Sequence, residues 1–257
     1  MEITSLQNPR VKHLVKLRED KKQRKQDGLM LVEGFDEIRL AISAGHRPQT
    51  LLTAPELATR SIDFSAAENF TVSRAVFEKI SYRDNPDGWL AVFPTPKVSL
   101  NDLKLSVSPL VIVAESVEKP GNLGAILRTA DAAHVDALIV SDPHTDIYNP
   151  NVVRASRGTL FTVPTIEANN QDTLSFLRRN GIKILAATPQ AVSVYTDQDL
   201  REPLAVAVGT EDEGLTDFWM NEADIQVKIP MLGKVNSLNV SIATALIVYE
   251  TLRQRRQ

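Results

Sequence analysis

Short, wholly apolar runs recur through the second half of the chain and are separated by helical patterns. The runs occupy residues 110–114, 137–140, 184–187 and 205–208, and a further predicted strand at 225–229 alternates apolar with polar residues. Continuous apolar runs of this length are typical of strands whose two faces are both covered by helices. Alternation of such strands with helices predicts an α/β fold with a parallel sheet over residues 109–257.

The first 93 residues have a different pattern and predict a smaller α/β domain. We expect helices near residues 10–25, 34–44 and 74–80, and strands near 29–32, 51–52, 70–72 and 88–93. Pro94 and Pro96 then open a polar stretch, which is typical of a linker. The predicted organisation is a domain over 1–97, a linker over 98–108 and a domain over 109–257, and a length of 257 residues accommodates it.

Composition excludes several kinds of chemistry. The chain contains no cysteine, which excludes disulfides, iron–sulfur clusters, zinc fingers and thiol catalysis. Its apolar runs fall far short of the roughly 20 residues that a membrane span needs, and residues 1–5 have no signal-peptide pattern. A cysteine-free chain fits a reducing compartment. We therefore expect a cytoplasmic protein that makes no membrane contact.

Charge is distributed unevenly along the chain. The net charge is −3, yet residues 10–25 hold eight basic and two acidic residues. That segment carries +6, so the remainder carries −9. A basic segment on an acidic protein is a candidate site for nucleic-acid phosphates, because lysine and arginine displace condensed counterions. The alternative is an ordinary solvated helix, since apolar residues at helical spacing accompany the charges.

A glycine-containing turn follows the first apolar run of the second domain. Gly121 and Gly124 permit close backbone approach to a ligand, and Asn122 is a candidate cap for a helix over 124–133. Arg128 lies about one turn into that helix. A helix N-terminus with an arginine is suited to phosphate or carboxylate. The alternative is a strand–helix turn with an arginine in a structural ion pair.

Two later loops also carry polar residues directly after predicted strands. One holds Glu211 between Gly209 and Gly214, and the other holds Ser237 and Asn239 at the start of a helix. Ligands of parallel α/β sheets bind beyond the carboxyl ends of the strands, so these loops are candidate binding sites. Three consecutive acids at 211–213 suit a divalent cation, but no complementary ligands are evident and we expect no metal.

Together the loops resemble the SpoU (TrmH) family of RNA 2′-O-ribose methyltransferases. The family's motifs occur in order, with N-x-G-A-I-x-R-T-A at 122–130, G-x-E-x-x-G-L at 209–215, and I-P-M through S-L-N-V-S at 229–241. The R-A-S-x-G pattern at 154–158 is also similar to the family. Residues 5–12 and 32–34 resemble its accessory substrate-binding domain, which has a ribosomal-protein-like RNA-binding fold. The resemblance therefore covers nearly the whole chain.

The resemblance implies a fold and a cofactor that patterning alone does not give. It implies a deep trefoil knot in the C-terminal domain, which breaks the usual rule against threaded chains, and a homodimer formed through that domain. The methyl donor would be S-adenosylmethionine. The implied cofactor-binding residues are Gly209, Glu211, Gly214, Ile229, Met231 and Leu238, with contacts largely through backbone groups and with Glu211 and Asn239 ordering the loops.

The resemblance also assigns catalytic roles. A ribose 2′-hydroxyl attacks the donor's methyl group, and this hydroxyl needs help in losing its proton. The implied catalytic residues are Asn122, Arg128, Ser237 and Asn239. Arg128 would act as base or base-organiser, or would mainly position a phosphate, because a guanidinium normally stays charged. Asn122 and Ser237 would orient the ribose and the phosphate.

RNA contacts are expected on the basic segment and on the R-A-S motif. The predicted residues are Lys21, Lys22, Arg24, Lys25 and Arg154. Large-subunit (23S) ribosomal RNA is the leading substrate, and transfer RNA is an alternative substrate. The alternative function is that of a non-catalytic RNA-binding or ribosome-assembly protein.

Two departures from the family pattern concern turn geometry. The family often has aspartate at the position of Lys119 and usually glycine at that of His134.

Overall fold

The computed structural model describes residues 1–61 and 66–256. The chain forms two compact units, each of which is described by itself. Unit 1 comprises Met1–Lys97 together with Asp146–Thr162, and unit 2 comprises Val98–Thr145 together with Val163–Gln257. No helix in the described ranges is both long and apolar enough to span a membrane.

Helices and strands alternate along most of the chain. The strands are β1 (Glu2–Ile3), β2 (Leu29–Glu33), β3 (Thr50–Thr53), β4 (Glu68–Val72), β5 (Trp89–Pro94), β6 (Leu110–Glu115), β7 (Ala137–Ser141), β8 (Thr165–Ala168), β9 (Lys183–Ala187), β10 (Leu204–Val208) and β11 (Ile225–Val227). The helices are α1 (Pro9–Glu19), α2 (Lys21–Asp27), α3 (Phe35–Ser43), α4 (Arg74–Ile80), α5 (Pro120–Ala132), α6 (Pro150–Ser156), α7 (Asn170–Arg179), α8 (Asp217–Glu222) and α9 (Val240–Arg255).

Unit 2 is built on a parallel sheet with the strand order β11-β9-β10-β6-β7-β8. Every residue of β6, β7 and β10 is buried, as expected for strands covered on both faces. This confirms the predicted α/β fold with a parallel sheet. The chain runs from β6 outward through β7 to β8, and β10 later pairs with the other edge of β6. The boundary between β6 and β10 is therefore a topological switch point, where ligands of such sheets bind.

The predicted linker packs as part of unit 2. Leu100, Leu103 and Leu105 lie against the hydrophobic cluster that contains buried Trp219. Pro94 and Pro96 led to the prediction of a linker. The three leucines instead bury apolar area that a solvated linker would leave in water. Residues 98–108 thus differ from the expectation because their leucines pack on the core of unit 2.

Unit 1 has a mixed sheet with the strand order β1-β4-β3-β5-β2. Strand β5 is antiparallel to both β2 and β3, whereas β4 is parallel to β1 and β3. Helices α1 and α4 cover one side, and their core side chains include Leu14, Leu17, Phe77 and Ile80.

The basic segment forms two helices where one was predicted. Asp20 adopts an extended backbone between α1 and α2, and its carboxylate accepts a hydrogen bond from the Lys22 N–H at 2.7 Å. Aspartate is a strong N-cap, so it ends the first helix and begins the second. Helix α1 buries Val11, Leu14 and Leu17, which accounts for the apolar spacing seen in the sequence.

Residues 146–162 group with unit 1, although the sequence placed them in the C-terminal domain. Helix α6 contacts β2, and the Phe161 ring lies 5.6 Å from that of Phe93 and 5.1 Å from that of His46. Val152 and Val153 are buried as well. The segment packs with unit 1 because its apolar side chains are buried there, although the residues before and after it belong to unit 2.

Candidate active site

Three side chains from three separate segments of unit 2 meet at its switch point. Glu211 follows β10 and accepts a short hydrogen bond from the Asn122 side-chain amide. The Asn239 Nδ2 in turn donates to Asn122 Oδ1 at 3.1 Å. Because β6 and β10 are parallel neighbours, with Ala114 opposite Val208, the segments that follow them lie side by side. The structure thus joins the three predicted loops through one polar network.

Asn122 takes part in this network because helix α5 begins earlier than the sequence indicated. The helix starts at Pro120 with Lys119 as N-cap, a position at which proline is favoured. Asn122 therefore lies inside the first turn and does not cap the helix, which corrects the prediction. Its side chain is directed to Glu211 and Asn239 instead. Asn239 is itself the N-cap of α9, and its Oδ1 accepts from the Ser241 N–H at 3.0 Å.

The loop after β10 closes tightly on itself. The Thr210 N–H donates to the Gly214 carbonyl at 2.9 Å. A Cβ at Gly209 would lie 2.0 Å from the Gly214 carbonyl oxygen, so only glycine fits there. Gly214 has a φ of +77°, which favours glycine again. Both glycines of the motif are therefore required by the loop's backbone.

Glu115, which the sequence reasoning missed, anchors the far end of this loop. The side chain is 1% exposed. It accepts hydrogen bonds from the Thr216 N–H at 2.8 Å, from the Thr216 hydroxyl at 2.7 Å, and from Asn170 Nδ2 at 3.0 Å. The signal that could have found it is a carboxylate ending an otherwise apolar strand, since a buried charge needs such partners.

A cavity of about 590 Å³ opens beside the polar network within unit 2. Its lining includes every predicted cofactor-binding residue and also the catalytic candidate Ser237. Those cofactor-binding residues are Gly209, Glu211, Gly214, Ile229, Met231 and Leu238. The volume lies within the range of about 300–1,000 Å³ that is usual for small-molecule sites.

The chemistry of this lining suits S-adenosylmethionine. Val208, Val227 and Leu238 supply apolar wall for an adenosine moiety, and Asp212 and Asp217 supply negative charge for a cationic ligand. The closed loop at 209–214 exposes backbone to the same cavity. The residues present therefore fit the cofactor. Among residues 1–61 and 66–256, no cluster of three or more histidine or acidic side chains is arranged to hold a metal ion.

Arg128 and Ser237 stand apart from the polar network. Arg128 is exposed on α5 and has no hydrogen-bond or ion-pair partner in the described part of the chain. It is not among the residues lining the cavity. Ser237 is exposed and lines the cavity. The structure therefore leaves both side chains accessible, as residues that contact a substrate must be.

The predicted RNA-binding residues fall into two groups in unit 1. Lys21, Lys22 and Lys25 are exposed. Arg24 is 3% exposed and forms an ion pair with Asp146 at 2.6 Å, while its Nη1 donates to the Leu17 carbonyl. Its assignment to RNA phosphate is therefore wrong, because the guanidinium faces the protein interior. Arg154 lies with its guanidinium 5.8 Å from the centre of the Tyr82 ring.

Comparison with known proteins agrees with this architecture. Residues 109–249 match the SpoU rRNA Methylase family, and residues 8–91 match the MRM3-like substrate binding domain. The chain is 28% identical to the 23S rRNA (guanosine(2553)-2′-O)-methyltransferase RlmP of Bacillus subtilis (strain 168), over 96% of this chain and 98% of that protein.

Solved structures are similar over the same length. A crystal structure of an RNA 2′-O ribose methyltransferase is 40% identical and covers 100% of both chains, with a TM-score of 0.89. An AdoMet-bound rRNA methyltransferase from Sinorhizobium meliloti is 30% identical, covers 98% of this chain and 97% of its own, and also has a TM-score of 0.89. Fold and site thus define an RNA methyltransferase. The chain belongs to the SpoU rRNA methylase family.

Proposed function

We propose that this protein transfers a methyl group from S-adenosylmethionine to a ribose 2′-hydroxyl of large-subunit ribosomal RNA. The observation that carries the proposal is the Glu211–Asn122–Asn239 network beside a cavity of fitting size. The similarity to an enzyme named for methylating 23S rRNA, over nearly the full length of both chains, favours ribosomal RNA.

The cavity residues hold the donor and the network fixes the loops around it. When bound, S-adenosylmethionine supplies a methyl group made electrophilic by its sulfonium charge. Gly209, Ile229 and Leu238 bind the donor through backbone groups. Glu211 holds Asn122 and, through it, Asn239, so the two asparagines are oriented toward the incoming ribose. Ser237, exposed at the same cavity, contacts the ribose or its phosphate. Such positioning lowers the entropic part of the barrier.

Arg128 acts on the RNA side of the reaction. Its charge has no partner in the described residues, so it is available to the phosphate next to the target ribose. A guanidinium held there favours loss of the 2′-hydroxyl proton to an oxygen of that phosphate or to water, because its positive charge stabilises the developing alkoxide. Arg128 thus organises deprotonation while remaining charged itself.

The finer fold and assembly belong to the same proposal. The C-terminal segment threads through a loop to form a trefoil knot, and two copies pair through this unit. Exposed Ile242, Leu246 and Tyr249 lie at helical spacing along α9, and this apolar face supports pairing there. Leu246→Glu should convert a dimer to a monomer in light scattering after gel filtration. A wild-type protein that is monomeric at high concentration would contradict the assembly.

The protein works in the cytoplasm. Its RNA phosphates are bound in unit 1 by three lysines, Lys21, Lys22 and Lys25. The three lysines are exposed and have no ion-pair partner among the described residues. Replacing all three by glutamine should weaken RNA binding and reduce its dependence on salt, while S-adenosylhomocysteine binding stays unchanged. An unaltered salt dependence would assign the lysines to an ordinary solvated surface.

The reaction is tested by single-turnover methyl transfer to unmodified 23S rRNA and to transfer RNA, followed by mapping of 2′-O-methyl sites. Arg128→Ala should slow transfer about 10²- to 10⁴-fold and leave S-adenosylhomocysteine affinity unchanged. Arg179→Ala, at an exposed helical arginine of the same unit, is the matched control. Near-normal transfer by Arg128→Ala would contradict the assigned role, and methylation of transfer RNA alone would replace the proposed substrate.

A further inference from the structure

Tyr82 presents an aromatic ring at the surface of unit 1, in the segment between α4 and β5. Its side chain is 42% exposed, whereas Phe35, Phe77 and Phe93 of the same unit are buried. The Arg154 guanidinium lies 5.8 Å from the centre of the Tyr82 ring. An exposed aromatic ring beside an arginine is a surface that stacks planar groups.

The position of Tyr82 is fixed by buried polar groups. Its N–H donates to Glu33 Oε2 at 2.7 Å, and the neighbouring Ser81 hydroxyl donates to Glu33 Oε1 at 2.5 Å. Arg18 Nη1 donates to the Ser81 carbonyl at 2.7 Å. Burial raises the pKa of the Glu33 carboxyl, so holding this acid inside the unit is costly. This buried network thus fixes the backbone from which the exposed ring projects.

The charge beside the ring comes from Arg154. Arg83, on the same small cleft, pairs with Glu37 at 2.7 Å. Arg154 Nη2 instead donates to the neutral amide oxygen of Asn151 at 2.9 Å. This contact orients the guanidinium without neutralising it. The cleft therefore combines an exposed ring on a fixed backbone with a positive charge that is available to a phosphate.

We propose that Tyr82 and Arg154 form a stacking site for an unpaired RNA base, with Arg154 contacting the adjoining phosphate. The inference rests on the proposed function and adds to it a substrate feature, an unstacked nucleotide away from the methylated one. Single-stranded loops and bulges offer such bases, whereas the bases of a paired A-form helix are not accessible to a side chain.

The test compares Tyr82→Ala, Tyr82→Phe and wild type for binding to an unmethylated 23S rRNA transcript. Loss of a stacked base should weaken binding about 5- to 150-fold in Tyr82→Ala, and Tyr82→Phe should bind like wild type because the ring is retained. Leu6→Ala is the matched control, since Leu6 is 45% exposed in the same unit. S-adenosylhomocysteine affinity should be the same in all four proteins.

Fluorescence gives a second measurement. Trp89 and Trp219 are buried, so Tyr82→Trp introduces an exposed indole, which the transcript should quench by stacking. Wild-type affinity in Tyr82→Ala, or an unquenched Tyr82→Trp that still binds RNA, overturns the stacking site. Failure of the wild-type protein to methylate any RNA would overturn the proposed function instead, so the two failures are distinguishable.

Discussion

The two units place their charged side chains differently. Unit 1 buries Arg24, Glu33 and Glu37 in hydrogen-bonded networks. Unit 2 keeps its site residues Glu211 and Arg128 at least partly exposed. In unit 1 the buried charges fix the backbone beneath a surface. In unit 2 the buried carboxylate of Glu115 plays the same supporting part, but Glu211 and Arg128 remain accessible to small molecules and RNA.

The difference shows that a charged side chain can either be buried and fix the backbone or be exposed and available to a ligand. Arg24 and Lys25 are adjacent on α2. The Arg24 side chain is buried in an ion pair with Asp146, whereas that of Lys25 is exposed to solvent. Their burial follows from helix geometry, because successive residues point about 100° apart around the axis. Removal of a buried, paired charge should therefore cost far more stability than removal of an exposed one.

Arg24→Ala should lower the free energy of unfolding by about 3–5 kcal/mol, because it leaves Asp146 partly buried without its counter-charge. Urea denaturation followed by circular dichroism measures the loss. Lys25→Ala is the control, and exposed substitutions of that kind usually change stability by less than about 0.5 kcal/mol. Equal stabilities for the two variants would remove the distinction between buried and exposed charge in this helix.

Lys119→Asp should raise the free energy of unfolding by about 1 kcal/mol. Lys119 is the N-cap of α5 and its side chain makes no capping hydrogen bond in the described structure. Aspartate accepts from the first N–H groups and its negative charge suits the helix N-terminus. Lys119→Ala removes the positive charge but adds no capping group, so its free energy of unfolding should rise less than that of Lys119→Asp. Chemical denaturation of both variants measures the difference. A destabilised Lys119→Asp would argue against the observed start of α5.

His134→Gly should raise the free energy of unfolding by about 0.5–1 kcal/mol. His134 follows the end of α5 with a φ of +53°, where a side chain costs about 1–2 kcal/mol. The greater flexibility of glycine in the unfolded chain offsets part of that gain. His134→Asn should lie between the two in thermal denaturation, since asparagine tolerates this conformation better than histidine. Loss of stability on His134→Gly would mean that the histidine makes a compensating contact.

The parallel sheet was predictable because its signal is local. Strands β6, β7, β9 and β10 each contain a short apolar run that can be read without its neighbours, whereas β8 carries Glu167 and was not predicted. The start of α5 was also within reach, since proline favours the first helical position, but the glycines that follow drew the prediction to residue 124. Lys119 and His134, noted as departures from the family pattern, turned out to lie at the two ends of this helix.

The contacts of the site were not predictable in the same way. The resemblance named Asn122, Glu211 and Asn239, but not that the amide of Asn122 would join the other two across more than 80 residues of chain. The prediction that Arg24 contacts RNA was wrong for the same reason, because its partner Asp146 is 122 residues away. The position of Glu115 at the end of an apolar run signals a buried carboxylate, but its donors on Asn170 and Thr216 lie 55 and 101 residues away, so the sequence does not show what it holds.

The grouping of residues 146–162 with unit 1 has a practical consequence for dissecting the protein. The chain passes from one unit to the other near residues 97, 145 and 162, so a single cut does not separate them. A shortened protein starting at residue 98 would carry Val152, Val153 and Phe161 without the surface that covers them, and exposed apolar patches of this kind promote aggregation. An isolated catalytic fragment needs residues 146–162 replaced by a short polar loop, not merely the removal of what precedes residue 98.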